Sequence, residues 1–481
     1  MDATGRTLRR NFSLCLTLLA LWLLSAGLSA QNTALPDQAN EPTIRRLKPT
    51  PANQAVKTLS ALQGFRAELI AHEPLLRDPV AIAYDENGAM YAVEMTAYPH
   101  PDRSDHPAPG QIRMLLDDDS DGDFDSSFVF ADQLSTPTSA ICWKGGLLVL
   151  APPDLWYLKD TDGDHRADVR QKIYTGFGIN NAETLANNLK WGIDNKIYGA
   201  SSHSGGTIRL VRDQQQAPVA ITGRDFCFQP VTGVFEPLTW ATSRWGNSFD
   251  DSYNRFVCQN TGPARHVVLP LRYLARNPYL RVASVYQSLA KEVGTEPVYR
   301  TSPPEPWRLV RAFRRQARGK PANPGEINAT GYFTASCGIT IYRGNAWPNR
   351  FRGNIFVGDA AGNLVHRRTL TPRGATFDSQ RAEAEREFIS SSDNFFRPVN
   401  FVNAPDGTLH VVDMYREVVE GPSWVPEDLQ KQGLVDVHGG SDRGRVYRVA
   451  PPGFKTPPPP RLGEATTAEL VGHLENSSSW W

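Results

Sequence analysis

From residue 59 onward the chain repeats one pattern: a short apolar run, an Asp/Asn/Gly turn, then a second run carrying an aromatic. It is seen in "VAIAYDENGAMYAVEM" from Val80, "ICWKGGLLVLAPPDLWYL" from Ile141 and "LKWGIDNKIYGASS" from Leu189. It returns in "WGNSFDDSYNRFVCQN" from Trp245, "FRGNIFVGDAAGNLVHR" from Phe351 and "VNFVNAPDGTLHVVDMYR" from Val399. Runs this short, bounded by turn residues, predict strands rather than helices. The turns begin near Asp85, Gly145, Asp194, Asp251, Gly353 and Asp406; most steps are 49 to 60 residues, and the longer step from 251 to 353 holds the charged "RLVRAFRRQARGKP". A few short strands recurring at that period predict blades stacked around an axis. Six units therefore predict an all-β, six-bladed β-propeller over 59–455, with "GRVYRVA" (Gly444 to Ala450) closing the ring on "GFRAELIA" (Gly64 to Ala71). A pair of β-sandwiches is the competing reading; repetition across the whole span favours the ring.

The two ends read differently. Arg6, Arg9 and Arg10 precede the apolar "LCLTLLALWLL", and "SAGLSA" supplies a cleavage point at Ala30, so residues 1–30 predict a signal peptide. Eleven apolar residues fall well short of the ~20 that a spanning helix needs. "RRNF" also resembles a twin-arginine export motif. The protein is thus expected to be exported, periplasmic or at the cell surface, with membrane association left open. Residues 31–58 are polar and Pro-punctuated and predict a linker. Residues 456–481 open on "PPPP", a rigid spacer; Thr466 and Glu469 then stand in capping-box spacing before an apolar helical pattern. The chain stops at Trp480-Trp481, which predicts the start of a helical region whose continuation is missing.

Composition narrows the function classes. Lys+Arg and Asp+Glu balance at 51 each, and loss of residues 1–30 leaves a charge near −2, so a nucleic-acid partner is not expected. Cys15 leaves with the signal. Cys142, Cys227, Cys258 and Cys337 permit two disulfides or four buried thiols, and no CxxCH haem motif occurs in the chain.

Two aspartate runs stand out, "DDDSDGDFD" and "LKDTDGDHRAD". Carboxylates at alternate positions of a tight loop converge their oxygens, which suits calcium with its six to eight oxygen ligands. In the second run Asp160, Asp162, Asp164 and Asp168 hold positions 1, 3, 5 and 9, with His165 where Gly is usual. In the first, Asp117, Asp119, Asp121 and Asp125 with Gly122 at the turn make the better loop; an alternative register uses Asp119, Asp121, Asp123 and Ser127. Neither run holds a catalytic partner, so each is expected to staple loops, not to react.

The phrases "ELIAHEPLLRDPVAIAYDENGAMYAVEMTAYP", "APPDLWYLKDTDGD", "FTASCGITIYRGNAWPNRFRGNIFVGDAAGNLVHR" and "FFRPVNFVNAPDGTLHVVDMYRE" resemble, in order, the PVC-type membrane-bound dehydrogenases. That resemblance covers about residues 60–455. It implies a propeller followed, in the family, by helical repeats and a cytochrome c domain, whose haem motif this chain lacks. More distantly the propeller is similar to soluble quinoprotein sugar dehydrogenases, which implies pyrroloquinoline quinone, calcium and a sugar or alcohol substrate, with a cytochrome c domain or protein as electron acceptor. In that family arginines hold the cofactor's carboxylates; the matching positions here are Arg397, eight residues before the Pro of "APDG", and more loosely Arg244 in "SRWGNSF". The family's second arginine falls on Val399, and its histidine base near Thr184. Glu183 or a shifted His203 is the candidate substitute base; the alternative is that both are surface loop residues. Strand ends also place Glu94, Asp413 and Arg416 beside Arg397 as pocket candidates, with an inter-blade ion pair as the structural alternative. His266 and His366 sit in apolar strands and read as structural. A non-catalytic propeller binding glycan or protein, and a calcium-dependent hydrolase or lactonase propeller, remain as other functions. A catalytic quinoprotein needs a base and at least two cations facing one mouth; a scaffold should instead show an aromatic or neutral mouth, with charges paired between blades.

Overall fold

The computed structural model describes residues 41–99, 109–239, 243–277, 279–291, 296–320 and 330–481; the expected signal peptide lies outside them. Six antiparallel sheets stand around one axis. Blade 1 is built from Pro79–Tyr84, Met90–Glu94, Gly110–Leu116 and Ser126–Leu134, and blade 2 from Ser139–Trp143, Gly146–Ala151, Asp154–Lys159 and Val169–Phe177. Blades 3 to 6 begin at Asn187–Trp191, Asn247–Phe249, Ser336–Ile341 and Pro398–Asn403. Each first strand packs against the first strand of the next blade, and blade 6 packs back on blade 1, so the ring is six-bladed and closed. Closure is by the chain's own ends, since Arg66–His72 pairs antiparallel with Arg445–Ala450.

The apolar runs follow from the seams between blades. In Gly146–Ala151, Leu147, Val149 and Ala151 join the cluster shared with blade 1, whereas Leu148 and Leu150 join the one shared with blade 3. Alternate residues point to opposite faces, and both faces are buried, so the strand is apolar throughout. Phe256 with Ile341, Phe356 with Phe401, and Ala92 with Val412 fill other seams. The core is therefore divided among the seams.

Several expectations take definite form here. The four cysteines are free thiols, and Cys227, Cys258 and Cys337 are buried. His266 bonds Thr376 at 3.0 Å and His366 bonds Glu387 at 2.8 Å, both buried. The end of the expected linker packs on the ring: the Thr50 N–H donates to the Tyr415 hydroxyl at 2.6 Å, and Leu59–Ala61 pairs with Ile389–Ser391 in blade 5. At the other end the capping box of Thr466 and Glu469 starts the helix Thr467–His473. The proline run lies along blade 1, where the Leu462 N–H donates to Glu86 O at 2.9 Å. Trp480 packs into the seam between blades 6 and 1, and Trp481 Nε1 donates to Pro405 O at 3.1 Å.

Candidate functional site

All six first strands begin at the same end of the channel, where the ring opens into a cavity of about 490 Å³. Val80, Thr138, Asn187, Trp245, Cys337 and Val399 stand at or beside those strand starts, so every blade contributes wall. Asparagines knit the strands just inside: Asn188 Nδ2 donates to Asn400 Oδ1 at 3.4 Å, and Asn247 Nδ2 to Asn188 O at 2.7 Å.

Two elements cover the mouth. The long step between blades 4 and 5 holds the helix Pro306–Ala317, whose Trp307 and Val310 bury against Val418, Val425 and Leu429. Three- and four-residue spacing puts Arg308, Arg311 and Arg315 on a common face, and all three line the cavity. The second element, residues 418–424, is latched at several points. Tyr98 Oη donates to Val419 O at 2.5 Å, Glu420 pairs with Arg308, and the Gly421 N–H donates to Glu183 Oε1.

Among the described residues the lining carries five arginines, Arg244, Arg300, Arg308, Arg311 and Arg315, and three carboxylates, Glu183, Asp359 and Glu420. Burial pushes Asp359 up to about 6, although it accepts N–H groups from Thr334, Gly362 and Ala335. Glu305 sits buried behind the arginines. Burial works against its charge, yet the guanidinium of Arg308, and after it those of Arg397 and Arg300, hold its carboxyl at about 2.

The expected site residues divide. Glu183 and Arg244 meet on the cavity wall, Arg244 Nη2 lying 3.9 Å from Glu183 Oε2. The Arg244 guanidinium lies 4.4 Å from the Trp245 ring centre, and its buried Nε has no hydrogen-bond partner among the described residues. Burial lowers its pKa, with Glu183 opposing. His203 is exposed outside the lining but close to Arg244; burial and then the Arg244 charge lower its pKa.

Arg397 and Arg416 do not face the cavity; both are 0 % exposed. Arg397 donates to Arg416 O, Glu417 O, Ala360 O and Glu305 Oε1 at 2.6 to 3.2 Å. Arg416 clasps Asp78 at 2.5 and 2.9 Å, an ion pair joining blade 6 to the strand that opens blade 1. Their donors are taken by protein acceptors, so the alternative of a structural pair is what the geometry favours for Arg416. Glu94 and Asp413 likewise stand outside the lining: Glu94 accepts from Arg77 N and Gln111 Nε2, and Asp413 from Arg397 N and Tyr415 N. The helix arginines and Trp424 were missed by motif reading. The arginines' signal was the three- and four-residue spacing of Arg308, Arg311 and Arg315 in "RLVRAFRRQARGKP".

The aspartate runs lie far from this chemistry. Each joins the third to the fourth strand of its blade, blades 1 and 2, at the face opposite the cavity. The register of the first run resolves with Asp117 as position 1. Asp117 Oδ2 accepts the Gly122 N–H at 2.9 Å, as Asp160 Oδ2 accepts that of His165 at 2.9 Å. Gly122 and His165 both have positive φ, 96° and 67°; in the histidine it costs roughly 1 kcal/mol. At position 8, the Phe124 N–H donates to Ile70 O and the Ala167 N–H to Phe130 O, both at 2.8 Å and both onto the outermost strand of the preceding blade. Oxygens of Asp117, Asp119 and Asp125, and of Asp160, Asp162 and Asp164, come within 4.8 Å of one another. Asp121 and Asp168 stand outside these groups, Asp168 accepting from Thr161. Among the described residues no other such cluster of His, Cys, Asp or Glu occurs.

Comparison with known proteins places the chain in a family. A model described as a domain of unknown function, DUF7133, matches residues 51–453, and the chain belongs to that family. No curated protein matches it. Among solved structures it is similar to an oxidoreductase described as a glucose dehydrogenase from Thermus thermophilus, at 13 % identity and a TM-score of 0.45, covering 80 % of this chain and 100 % of that one. The PQQ-bound aldose sugar dehydrogenase of Streptomyces coelicolor follows at 12 % identity, TM-score 0.42 and coverage of 81 % and 100 %. A virginiamycin B lyase from Staphylococcus aureus is also similar, at 9 % identity, TM-score 0.36 and coverage of 72 % and 81 %. At these identities the likeness extends to no residue of the site.

Proposed function

We propose that this propeller is the front module of an exported redox protein, binding pyrroloquinoline quinone in the mouth cavity and oxidising a sugar or alcohol. The observation that carries this reading is Arg244, lodged on the cavity wall over Trp245 with a buried Nε that has no acceptor among the described residues. A planar tricarboxylate suits such a wall, because guanidinium forks pair bidentately with carboxylates and their planes stack on rings. Arg244 would hold one carboxylate. When bound, the quinone supplies a two-electron acceptor for hydride leaving a carbinol carbon. Glu183 is the base: Oε2, beside Arg244, takes the hydroxyl proton while Oε1 stays on the Gly421 N–H. His203, its pKa lowered by partial burial and the Arg244 charge, is the second candidate. Electrons pass to a cytochrome c domain or protein, in a periplasmic or cell-surface setting. The aspartate loops take calcium as staples, the converging oxygens of Asp160, Asp162 and Asp164 and of Asp117, Asp119 and Asp125 being a fit for a hard cation.

The test is reconstitution of the full chain with calcium and pyrroloquinoline quinone, followed by titration of the quinone and dye reduction over a panel of aldoses and alcohols. Stoichiometric binding is expected, weakened at least about tenfold in Arg244→Ala. Glu183→Gln should retain binding while turnover falls on the order of 10²-fold or more. Failure of the full chain to bind the quinone would overturn the reading in favour of a non-catalytic propeller.

A further inference from the structure

The face of the ring opposite the cavity has a charge pattern of its own. In blade 4 the third strand, Gly262–Val267, and the fourth, Tyr286–Ser288, are joined on that face by a loop described over 268–277 and 279–285. Between Asp251 and Glu292 the sequence has no carboxylate, and Arg272, Arg276 and Arg281 stand exposed in this loop. Among the described residues none of the three is in an ion pair. Arg272 and Arg276 instead gather round the Tyr273 ring, 5.0 and 5.6 Å from its centre. The loop's inner side is filled, since Leu269, Leu274 and Tyr286 pack on Val257, Val267 and Val285. Its outer side is bare: Tyr279 is 89 % exposed, and Leu280 and Val282 after it are exposed too. The Tyr279 and Leu280 N–H groups donate to Asn277 Oδ1 and O at 3.0 and 3.1 Å, so a formed turn presents the apolar tip. A basic tip with exposed aromatic and aliphatic groups marks an interaction surface.

Blade 1 holds the complement on the same face. Its aspartate run puts six carboxylates in nine residues, and Asp118, Asp119, Asp121, Asp123 and Asp125 are exposed. A divalent ion bound there would still leave the loop negative. The C-terminal segment lies against it: Thr456 packs on Gly122, and the Gly463 N–H donates to Asn87 Oδ1 at 3.1 Å. The helix Thr467–His473 follows, before Trp480 enters the seam with blade 6. Leu470, Val471 and Leu474 are exposed along it, and Glu464, Glu469 and Glu475 add charge of the aspartates' sign. Acidic and apolar groups thus share the blade 1 side of the face, and basic and apolar groups the blade 4 side. First strands touch in chain order around the ring of six, so these two blades are diametrically opposed. We propose that two copies of this chain pack these faces together about a two-fold axis perpendicular to the ring axis, each seating its blade 4 loop on the partner's blade 1. Turning one ring over onto another puts blade 4 on blade 1 and blade 1 on blade 4, so one contact is made twice and the assembly closes. Charge selects a second copy over a uniformly anionic surface, which the aspartate runs of blades 1 and 2 would repel. Both mouths then face away from the contact, which is independent of the chemistry proposed for them.

Sedimentation equilibrium of the full chain tests it. A monomer–dimer equilibrium is expected in about 0.1 M salt, its dissociation constant rising at least about tenfold in about 1 M salt, where the Debye length falls to ~3 Å. Two charge-reversed chains carry the decisive arm. One has Arg276→Glu with Arg281→Glu, the other Asp118→Lys with Glu475→Lys. Each alone should be folded by circular dichroism and monomeric, because like charges meet at both contacts. Mixed, they should form a dimer of one copy of each, because both contacts again pair opposite charges. Tyr279→Ala, which leaves the charges in place, should weaken the natural dimer roughly tenfold. A monomer at every concentration, a dimer unmoved by either reversal, or a mixture that stays monomeric would overturn the proposal. Growth past the dimer would do so as well, since it requires a head-to-tail contact that does not close.

Discussion

Asp413, fully buried at the end of the second strand of blade 6, ties stability to pH. Oδ1 accepts two backbone N–H groups, from Arg397 at 2.7 Å and Tyr415 at 2.9 Å, while Oδ2 has no hydrogen-bond partner among the described residues. Burial pushes the carboxyl up to about 7, the N–H group of Arg397 and the charge of Arg445 opposing. A carboxyl raised in the fold and ordinary when unfolded binds more protons in the folded state, so its contribution to stability is full below the unfolded pKa and is lost as pH rises towards 7. Asp413→Asn cannot ionise and escapes that loss. Relative to the natural protein, it should gain roughly 2–3 kcal/mol between pH 5 and pH 8, read from denaturant midpoints at the two pH values. A gap between the two proteins that does not move with pH would mean Asp413 is charged in the fold. Site residues were only half legible for a related reason. Arg244 and Arg397 read alike in the sequence, but Glu305, which helps take Arg397 out of use, lies 92 residues away. No local motif carries that partner.

The aspartate loops are the elements most plainly written in the sequence, since alternate spacing and loop position lie within nine residues. The register of the first run was the open part. It is settled by contacts outside the loop, the position-8 N–H groups that bond to Ile70 O and Phe130 O across two seams. A cation gathering Asp160, Asp162 and Asp164 would therefore stiffen a loop already tied to blade 1, and its partner a loop tied to blade 6. Calcium at a hundred times its dissociation constant should stabilise the ring by about 2.7 kcal/mol per site, with the melting temperature falling on chelation. The Asp160→Asn, Asp162→Asn double variant should lose part of that shift, and the corresponding change at Asp117 and Asp119 the rest. A melting temperature indifferent to calcium would leave the runs as solvated turns. The helix Pro306–Ala317 was less legible, because its charge hid its amphipathicity. Only once Trp307 and Val310 are seen against Val418 and Leu429 does the arginine face acquire a direction.

At the scale of the whole molecule the repeat period was sufficient to read six blades and the strands that close them, because each blade presents the same alternation to two seams. A ring made this way is held shut where the ends of its chain share a blade. Arg66–His72 is that join: it pairs from Arg66 opposite Ala450 to His72 opposite Arg445, with a register shift between Leu69 and Ala71, and Glu68 pairs with Arg448 at 2.6 Å and Glu73 with Arg445 at 2.8 Å. Ile70 from this strand and Val446 from its partner bury in the seam with blade 1. Without this strand, Arg445–Ala450 becomes an open edge with unpaired backbone groups and exposed apolar surface, a template for association. A chain lacking residues 41–72 should therefore lose its single cooperative transition, bind a hydrophobic dye and self-associate. A synthetic peptide spanning residues 64–73 should restore the full chain's behaviour by adding back as the missing strand, since main-chain pairing supplies its affinity. If the shortened chain instead melts cooperatively at the temperature of the full one, the ring is held by its seams and the shared blade is not the clasp.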